Sequence, residues 1–321
     1  SRVRHYTRLR QRIRSFLRVA PTAPVLWASI SPSPFGHLRD VLTVLPAFQP
    51  GQPVHAVIHW GNFDRVFRHP LTAWTARRMV RRVQRFVFLN ESLAERCAPW
   101  IPDEQRLAIP NTIDDAVRCG EDEVAAKQAR RAERTAFRLL FLSNMIASKG
   151  YLDVLRAVGL LHARGLSLHA DFVGRWTSDE DRTAFERLVE EENLDAVVTH
   201  HGGLSDRTQI KDLYLNADVF LLPSYYPTEA QPITIIEALN AGTPVITTRH
   251  SGIPDMVRDG QEALFVPPRA PDAIAGAVRH LADAATWVSF SRNARRRFQM
   301  RFSPVAVRRL WEMLLKGTGA G

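Results

Sequence analysis

The sequence has little cysteine and no long apolar run. Among its 321 residues only Cys97 and Cys119 are cysteines, which argues against a disulfide scaffold and against a zinc site built from cysteines. No apolar stretch reaches the roughly 18 residues that a membrane-spanning helix needs. The basic first residues are not followed by the apolar region of a secretory signal. These absences favour a globular protein, and we expect it in the cytoplasm.

Acidic residues are missing where the arginines concentrate. The formal net charge is +10, and residues 1–20 hold seven arginines and no acid. Two further arginine clusters lie within 77–85 and 292–301. Such clusters indicate either a solvated basic face or peripheral contact with an anionic membrane, here the inner membrane face. Nucleic acid is not the expected partner, because few aromatic residues stand among the arginines and no recognition motif is present.

Short apolar strands alternate with helical patterns along the chain. Residues 2–20 predict an amphipathic helix, which suits either a membrane interface or packing on the N-terminal domain. Strand-like runs follow, separated by helical segments, and this alternation predicts an α/β fold with parallel sheets. Each run ends in a loop, and ligands bind at the carboxyl ends of strands in such sheets.

The alternation is interrupted once, which predicts two domains. Residues 115–136 are polar and highly charged without a strong apolar stripe, as is typical of a linker. The predicted domains are therefore 1–114 and 137–321. We expect the last helices to pack back on the N-terminal domain.

One stretch, from Ser224 to Gly242, is the most informative. It predicts a helix from Pro232 to Gly242, since proline is favoured at the first helical position and glycine just past the end. One carboxylate, Glu229, precedes this helix, and a second, Glu237, lies within it. Free N–H groups at a helix N-terminus bind anions such as phosphate. Two carboxylates that flank an anion site fit a nucleotide sugar, which carries hydroxyls on both sides of its phosphates.

Four segments resemble, in order and spacing, those of the retaining GT-B glycosyltransferases of family 4. The segments are 141–150, 198–204, 216–224 and 229–245. The last carries the family's E-x7-E spacing. The resemblance implies the GT-B fold, with two Rossmann-like domains whose parallel sheets face each other across a cleft. It covers the second domain well and the first loosely.

The resemblance implies a role for each matched residue. Lys149 would neutralise the donor diphosphate, Glu237 would accept hydrogen bonds from the ribose hydroxyls, and Glu229 would contact the transferred sugar. His59 matches a position near that sugar, and the backbone near Leu204 would meet the base. The other donor-binding candidates are Ser143, Asn144, Gly150, Gly174, Ala230, Gln231, Pro232 and Ile233, the last four of which would hold the distal phosphate.

The sequence departs from the family pattern at three places. Asn144 replaces the family's arginine beside the diphosphate, so one cation is lost unless Arg175 or Arg249 reaches the same place. Ala230 replaces a glycine and would crowd the ligand. Nothing before residue 20 resembles the family's first strand and glycine-rich loop, and we therefore expect the chain to be N-terminally incomplete.

No cofactor or essential metal is expected. Asp179 and Asp181 resemble a metal-binding D-x-D pattern, yet Ser178 with Asp181 predicts a capping box at a helix start. His200 and His201 are neighbours in a predicted strand and point to opposite faces, so they cannot easily share one metal ion.

These observations predict a retaining transferase that moves a hexose from a nucleoside-diphosphate sugar to a glycan or lipid-linked acceptor, in cell-surface polysaccharide synthesis. Two alternatives stay open. One is a GT-B epimerase or phosphorylase, against which the E-x7-E spacing argues. The other is a non-catalytic nucleotide-sugar-binding protein, which Asn144 and Ala230 favour.

Overall fold

A computed structural model describes residues 2–19, 22–28, 30–31 and 33–316. The chain divides into two compact units. The N-terminal unit comprises the residues before Asn111 and after Val307, and the C-terminal unit comprises 111–307. Each contains one parallel sheet, which confirms the predicted α/β class. Within the described ranges no helix is both long and apolar enough to cross a membrane.

The sheet of the N-terminal unit has four parallel strands in chain order. They are β1 (Val25–Trp27), β2 (Val54–Ile58), β3 (Arg85–Phe88) and β4 (Arg106–Ala108). Val54, Phe86 and Phe88 are fully buried, because helices cover both faces of such a sheet. The helices are α1 (Arg2–Leu17), α2 (Pro34–Thr43), α3 (Arg65–Arg68), α4 (Ala73–Arg82) and α5 (Glu91–Arg96).

The sheet of the C-terminal unit has six parallel strands in the order β10-β9-β8-β5-β6-β7. They are β5 (Phe137–Leu142), β6 (Leu168–Val173), β7 (Val198–His200), β8 (Val219–Leu222), β9 (Val245–Thr247) and β10 (Ala263–Phe265). The first strand of this sheet, β5, lies between β6 and β8. The strand order therefore reverses at β5, and such a switch point opens a crevice at the carboxyl ends of the two strands.

Helices α6 to α13 belong to the C-terminal unit, and α14 crosses its boundary. They are α6 (Glu121–Glu133), α7 (Tyr151–Ala163), α8 (Asp179–Glu191), α9 (Arg207–Asn216), α10 (Ile233–Asn240), α11 (Ile253–Met256), α12 (Pro271–Ala282), α13 (Ala284–Arg297) and α14 (Pro304–Lys316). One core joins sheet and helices; Tyr151, Leu155 and Phe220 are among its buried members.

Helix α6 lies in the segment that the sequence predicts to be a linker. Its Lys127 is fully buried in the C-terminal unit, where Nζ donates to the Tyr214 carbonyl at 2.8 Å and to the Thr243 hydroxyl. Burial disfavours the charged ammonium and lowers the pKa of Lys127 to about 7. Although α6 is polar in composition, its buried Lys127 fixes the helix to the rest of the C-terminal unit. The domain limits given in the sequence analysis, 1–114 and 137–321, stay a prediction.

We expect Lys127 to make the protein more stable as the pH rises above neutrality. Its folded pKa of about 7 lies below its ordinary value of 10.5, so between these values the unfolded state binds more protons. The free energy of unfolding should then rise by about 1 kcal/mol per pH unit. Lys127→Met, which keeps the apolar stem, should lack this increment, whereas Lys316→Met at an exposed position should retain it. Urea unfolding midpoints at several pH values measure the slopes; equal slopes in all three proteins would contradict the prediction.

Candidate functional site

The two loops that follow β5 and β8 carry the central residues of the candidate site. Lys149 lies in the loop after β5, and Glu229 lies in the loop after β8. Because β5 and β8 are parallel neighbours, both loops leave the same edge of the sheet, at the switch point. Residues that are 80 positions apart in the sequence meet there.

Gly150 allows the two loops to touch. It adopts a left-handed conformation with φ of +84°, and a Cβ atom there would lie 2.8 Å from the Pro223 carbonyl oxygen. The Tyr225 N–H donates to the Ser148 carbonyl at 2.8 Å across the same contact. Any side chain at Gly150 would push the Lys149 loop away from the loop after β8.

Replacing Gly150 by alanine should destabilise the protein by about 3 kcal/mol, from left-handed strain plus overpacking against Pro223. Gly165 is a matched control, because its φ is +76° and nothing lies within 4 Å of a Cβ atom placed there. Gly165→Ala should cost only the strain, about 1 kcal/mol. Urea denaturation measures both values, and equal losses would show that the contact with Pro223 is unimportant.

Glu229 is buried and accepts two hydrogen bonds on one oxygen. Its Oε2 lies 2.5 Å from Lys149 Nζ and 2.8 Å from the Ser224 hydroxyl. The ammonium also stands 4.7 Å from the ring centroid of Tyr226, a cation–π contact. A buried pair of this kind holds both side chains in one geometry, because separating them would leave an unpaired buried charge.

The loop after β9 supports the loop that carries Glu229. The Ser251 hydroxyl donates to the Glu229 carbonyl at 2.5 Å, and the His250 ring nitrogen lies 2.8 Å from the Tyr226 carbonyl oxygen. Thr248 donates to the Ser224 carbonyl in the same way. Three side chains therefore fix the backbone from Ser224 to Glu229, so that the carboxylate does not depend on a mobile loop.

Glu237 lies in α10 and is also held by a cation and a hydroxyl. Its Oε1 lies 2.5 Å from Arg207 Nη2, and its Oε2 accepts from the Tyr214 hydroxyl at 3.0 Å. Glu237 is nearly inaccessible, whereas 35% of the Arg207 side chain is exposed. Burial, reinforced by the Glu237 charge, raises the pKa of Tyr214 well above its usual value, so it remains a donor. Each carboxylate of the E-x7-E pattern thus has one cation and one hydroxyl partner.

The first turn of α10 lies between the two carboxylates in the sequence. The helix begins at Ile233, one residue later than the sequence predicts, and Pro232 occupies the N-cap position. Ala230 and Gln231 are buried, and Gln231 Oε1 accepts from the Asn111 N–H at 2.6 Å. The N–H groups of a first helical turn have no acceptor within the helix, and they suit an anion.

The remaining donor-binding candidates of this unit line the neighbouring strand ends. The Ser143 N–H donates to the Val173 carbonyl at 3.0 Å. A Cβ atom at Gly174 would lie 1.8 Å from the Ser143 carbonyl oxygen, so only glycine lets these loops approach. Asn144 is exposed, and Leu204 packs against the core. Ser143 and Asn144 therefore lie in the same loop as Lys149, and Gly174 contacts that loop at Ser143.

The two arginines considered as replacements for the missing cation differ. Arg249 pairs with Asp259 at 2.8 Å and stacks on the Phe265 ring at 4.3 Å. The Arg175 side chain is exposed and lies against Gly203. The Met145 N–H, next to Asn144 in the sequence, donates to the Arg175 carbonyl at 2.9 Å. Arg175 is therefore the better placed of the two.

His59 lies at the end of β2 in the N-terminal unit. Its side chain is exposed at the surface of this unit, while partial desolvation of the ring lowers its pKa below the usual 6.5. A neutral imidazole at a strand end can accept a proton. Its contact with a sugar stays a prediction.

His200, the last residue of β7, and the following His201 have separate structural partners. His200 Nε2 lies 3.1 Å from the Gly174 carbonyl oxygen, and His201 Nε2 lies 2.7 Å from Asp171 Oδ1. Among the residues that the structure describes, no cluster of three or more histidine, cysteine, aspartate or glutamate side chains has metal-binding geometry. A metal-independent reaction stays a prediction.

Four residues of the site have no role in the sequence interpretation: Arg207, Tyr214, Ser224 and Tyr226. Ser224 and Tyr226 lie within five residues of Glu229 in the sequence, and this proximity could have indicated that they contact it. Arg207 and Tyr214 lie 30 and 23 residues before Glu237. Only the packing of α9 beside α10 connects them to that carboxylate.

Two α/β units, each with one parallel sheet, are the architecture expected of the GT-B class of folds. The protein-family model described as glycosyl transferases group 1 matches residues 123–297, more than half of the chain. The chain therefore belongs to this family, and the predicted GT-B fold is confirmed.

Individual relatives are similar over part of their length. The chain is 27% identical over 186 residues to WcaL of Salmonella typhimurium, a protein assigned to colanic acid biosynthesis as a glycosyltransferase, covering 56% of the chain and 44% of WcaL. It is 25% identical over 232 residues to the amylovoran biosynthesis glycosyltransferase AmsK of Erwinia amylovora, covering 70% of the chain and 56% of AmsK. The match thus spans about half the length of these relatives.

A solved structure agrees over nearly the whole chain. Anabaena Alr3699/HepE, crystallised with UDP and glucose, matches with a TM-score of 0.71 and 14% identity. The match covers 95% of this chain and 80% of that protein. At this identity the likeness establishes the fold.

Proposed function

We propose that the protein is a retaining hexosyltransferase of family 4. It moves a hexose from a nucleoside-diphosphate sugar to a glycan or lipid-linked acceptor in the synthesis of a cell-surface polysaccharide. The proposal rests on one observation above all. At the switch point of the C-terminal unit, Lys149 and Glu229 are paired beside the start of α10, and Glu237 is held within that helix.

The charges of this site suit a nucleoside-diphosphate sugar. Bond cleavage places negative charge on the leaving diphosphate, which Lys149 and the first turn of α10 would stabilise. Lys149 would then exchange its bond to Glu229 for the diphosphate, while the Ser224 hydroxyl stays on the carboxylate. Glu229 would face the positive charge that builds on the sugar. Glu237 would accept hydrogen bonds from the ribose.

The relatives support the substrate class. WcaL and AmsK belong to the biosynthesis of colanic acid and amylovoran, and the HepE structure contains UDP and glucose. The retaining outcome, the hexose, the acceptor and the lack of a metal requirement are part of the proposal. The cytoplasmic location also remains a prediction.

Release of nucleoside diphosphate from a panel of UDP- and GDP-hexoses, with and without glycan acceptors, tests the proposal. We expect one donor to raise the melting temperature and to be consumed faster when an acceptor is added. Proton NMR of the product should show the anomeric configuration of the donor. Inversion of that configuration would refute the retaining mechanism.

The same panel separates the alternatives. A non-catalytic binding protein would be stabilised by a donor without releasing nucleoside diphosphate. An epimerase would change the configuration of the sugar or release UDP, but it would form no glycosidic bond. A phosphorylase would require inorganic phosphate. Chelation with EDTA should leave the rate of the transferase unchanged.

A further inference from the structure

The positive charge of the protein is confined to its N-terminal unit. Residues 1–110 carry seventeen arginines and six carboxylates, whereas residues 111–307 carry 23 basic and 26 acidic residues. The unit that holds the candidate donor site is therefore slightly acidic. A sugar nucleotide bound at the candidate donor site therefore does not explain the positive charge of the N-terminal unit.

In the third arginine cluster, Arg292 and Arg296 are exposed, whereas Arg295 and Arg297 make internal contacts. Arg295 pairs with Glu121 at 2.6 Å and donates to the Cys119 carbonyl at 2.8 Å. Arg297 donates to the Met256 carbonyl at 2.9 Å. Both guanidinium groups hold the C-terminal unit together. By contrast, Arg78 and Arg81 of α4 are exposed.

Helix α4 presents a basic and aromatic face. Trp74, Arg78 and Arg81 follow one another at spacings of four and three residues, so they share a face. Trp74 is 66% exposed and the preceding Leu71 is 62% exposed, and Arg78 and Arg81 are exposed as well. Within the described ranges neither arginine lies within salt-bridge distance of a carboxylate.

A cavity of about 350 Å³ opens beside this face. Its apolar wall comes from Pro46, Phe48 and Pro50, and its basic rim from Arg78, Arg81 and Arg82. Arg82 is anchored: it donates to the Gln49 and Gln52 carbonyls at 2.7 and 3.0 Å, and its guanidinium lies 5.9 Å from the Phe48 ring. Among the residues that the structure describes, no such anchor holds the guanidinium groups of Arg78 and Arg81. The cavity thus combines an apolar floor with free cationic donors.

The end of α1 adjoins this cavity. Arg14 Nη2 donates to the Pro46 carbonyl at 2.9 Å, which places the last turns of α1 against the cavity wall. Nearby on α1, Phe16 is 78% exposed, and Val19 just after the helix is 86% exposed. Exposed apolar side chains among arginines are typical of helices that lie in a membrane interface.

We propose that this cavity binds the phosphate of an anionic phospholipid headgroup and that the surrounding face docks the protein on the lipid bilayer. Arg78 and Arg81 bind the phosphate, and Phe48 and the prolines contact the glycerol and the upper acyl chains. Trp74 enters the interface, where indole rings are favoured. A free phosphate compound would satisfy the arginines but would leave Trp74, Leu71 and Phe16 exposed. The site is independent of the proposed sugar transfer.

Flotation with vesicles of phosphatidylcholine, alone or with one third phosphatidylglycerol, tests the proposal on the whole chain. We expect binding to the anionic vesicles only. Each basic residue near such a surface strengthens the partition by roughly fivefold, so Arg78→Gln with Arg81→Gln should weaken it by about 25-fold. Trp74→Ala should remove the binding that persists at high salt, since the apolar contribution is not screened.

A matched control removes the same two charges elsewhere. Arg164 and Arg279 are exposed in the C-terminal unit, and Arg164→Gln with Arg279→Gln should change the partition less than twofold. An equal loss in both double variants would overturn the proposal, because binding would then depend on net charge alone. Glycerol phosphate that displaces the protein at micromolar concentration, or RNA that binds more tightly than the vesicles, would also overturn it. Thermal unfolding and circular dichroism verify that each variant is folded.

Discussion

Replacing Lys149 by methionine should lower the rate of sugar transfer by about 10²- to 10³-fold, the loss typical of a group that stabilises transition-state charge. Lys149 is the only cation that the structure pairs with Glu229 among the described residues. Its removal takes a positive charge from the leaving diphosphate and leaves Glu229 with the Ser224 hydroxyl alone. We expect kcat to fall more than the donor affinity, because the diphosphate gains charge as the bond breaks.

Lys211 provides a matched control for Lys149. It lies in the same unit and forms a single ion pair with Glu123 at 2.7 Å. Lys211→Met changes the net charge equally and should alter the transfer rate less than twofold, as is usual for peripheral ion pairs. A rate of Lys149→Met within a factor of five of wild type would remove Lys149 from the mechanism. Donor-induced shifts in melting temperature show separately whether the donor still binds.

The second large effect concerns the pair formed by Glu237 and Arg207. Glu237→Ala should weaken nucleoside-diphosphate binding by about 100-fold, since hydrogen bonds to a charged acceptor contribute roughly 1.5–3 kcal/mol. Arg207→Met should weaken it by about tenfold, because Glu237 then keeps only the Tyr214 hydroxyl and loses the cation that fixes its side chain.

A double-mutant cycle distinguishes positioning from direct contact. If Arg207 acts through Glu237, its removal from Glu237→Ala should have little further effect, which gives a large coupling energy. Calorimetry on each variant measures the affinity for the nucleoside-diphosphate sugar and for its analogue that lacks the ribose 2′-hydroxyl. Additive losses would show that Arg207 contacts the donor independently. Arg182→Met, which removes an exposed ion pair with Glu186, should be neutral.

Much of the fold could be predicted from the sequence, and so could several of the residues that the structure brings together in the candidate site. Alternating strands and helices are local patterns, and each carries its own signal of period and punctuation. Glu229 and Glu237 flank one helix start, so their chemistry is visible in a stretch of nine residues. Lys149 and Gly150 are a neighbouring pair, and the resemblance assigns them to the diphosphate. Helix α6 shows what composition alone cannot predict, since this polar segment buries Lys127.

The sequence by itself determined the class of the fold and the concentration of arginine at the N-terminal end, and it predicted nucleotide-sugar chemistry for the E-x7-E stretch. Only the tertiary structure decided which cation meets which carboxylate. Strand β8 pairs with β5, which brings Lys149 to Glu229, and α9 packs so that Arg207 and Tyr214 reach Glu237. Strand order depends on the burial of the whole sheet, a non-local property that no short segment records. For the same reason, the cavity beside α4 exists only where Arg78 and Phe48, thirty positions apart, are packed together.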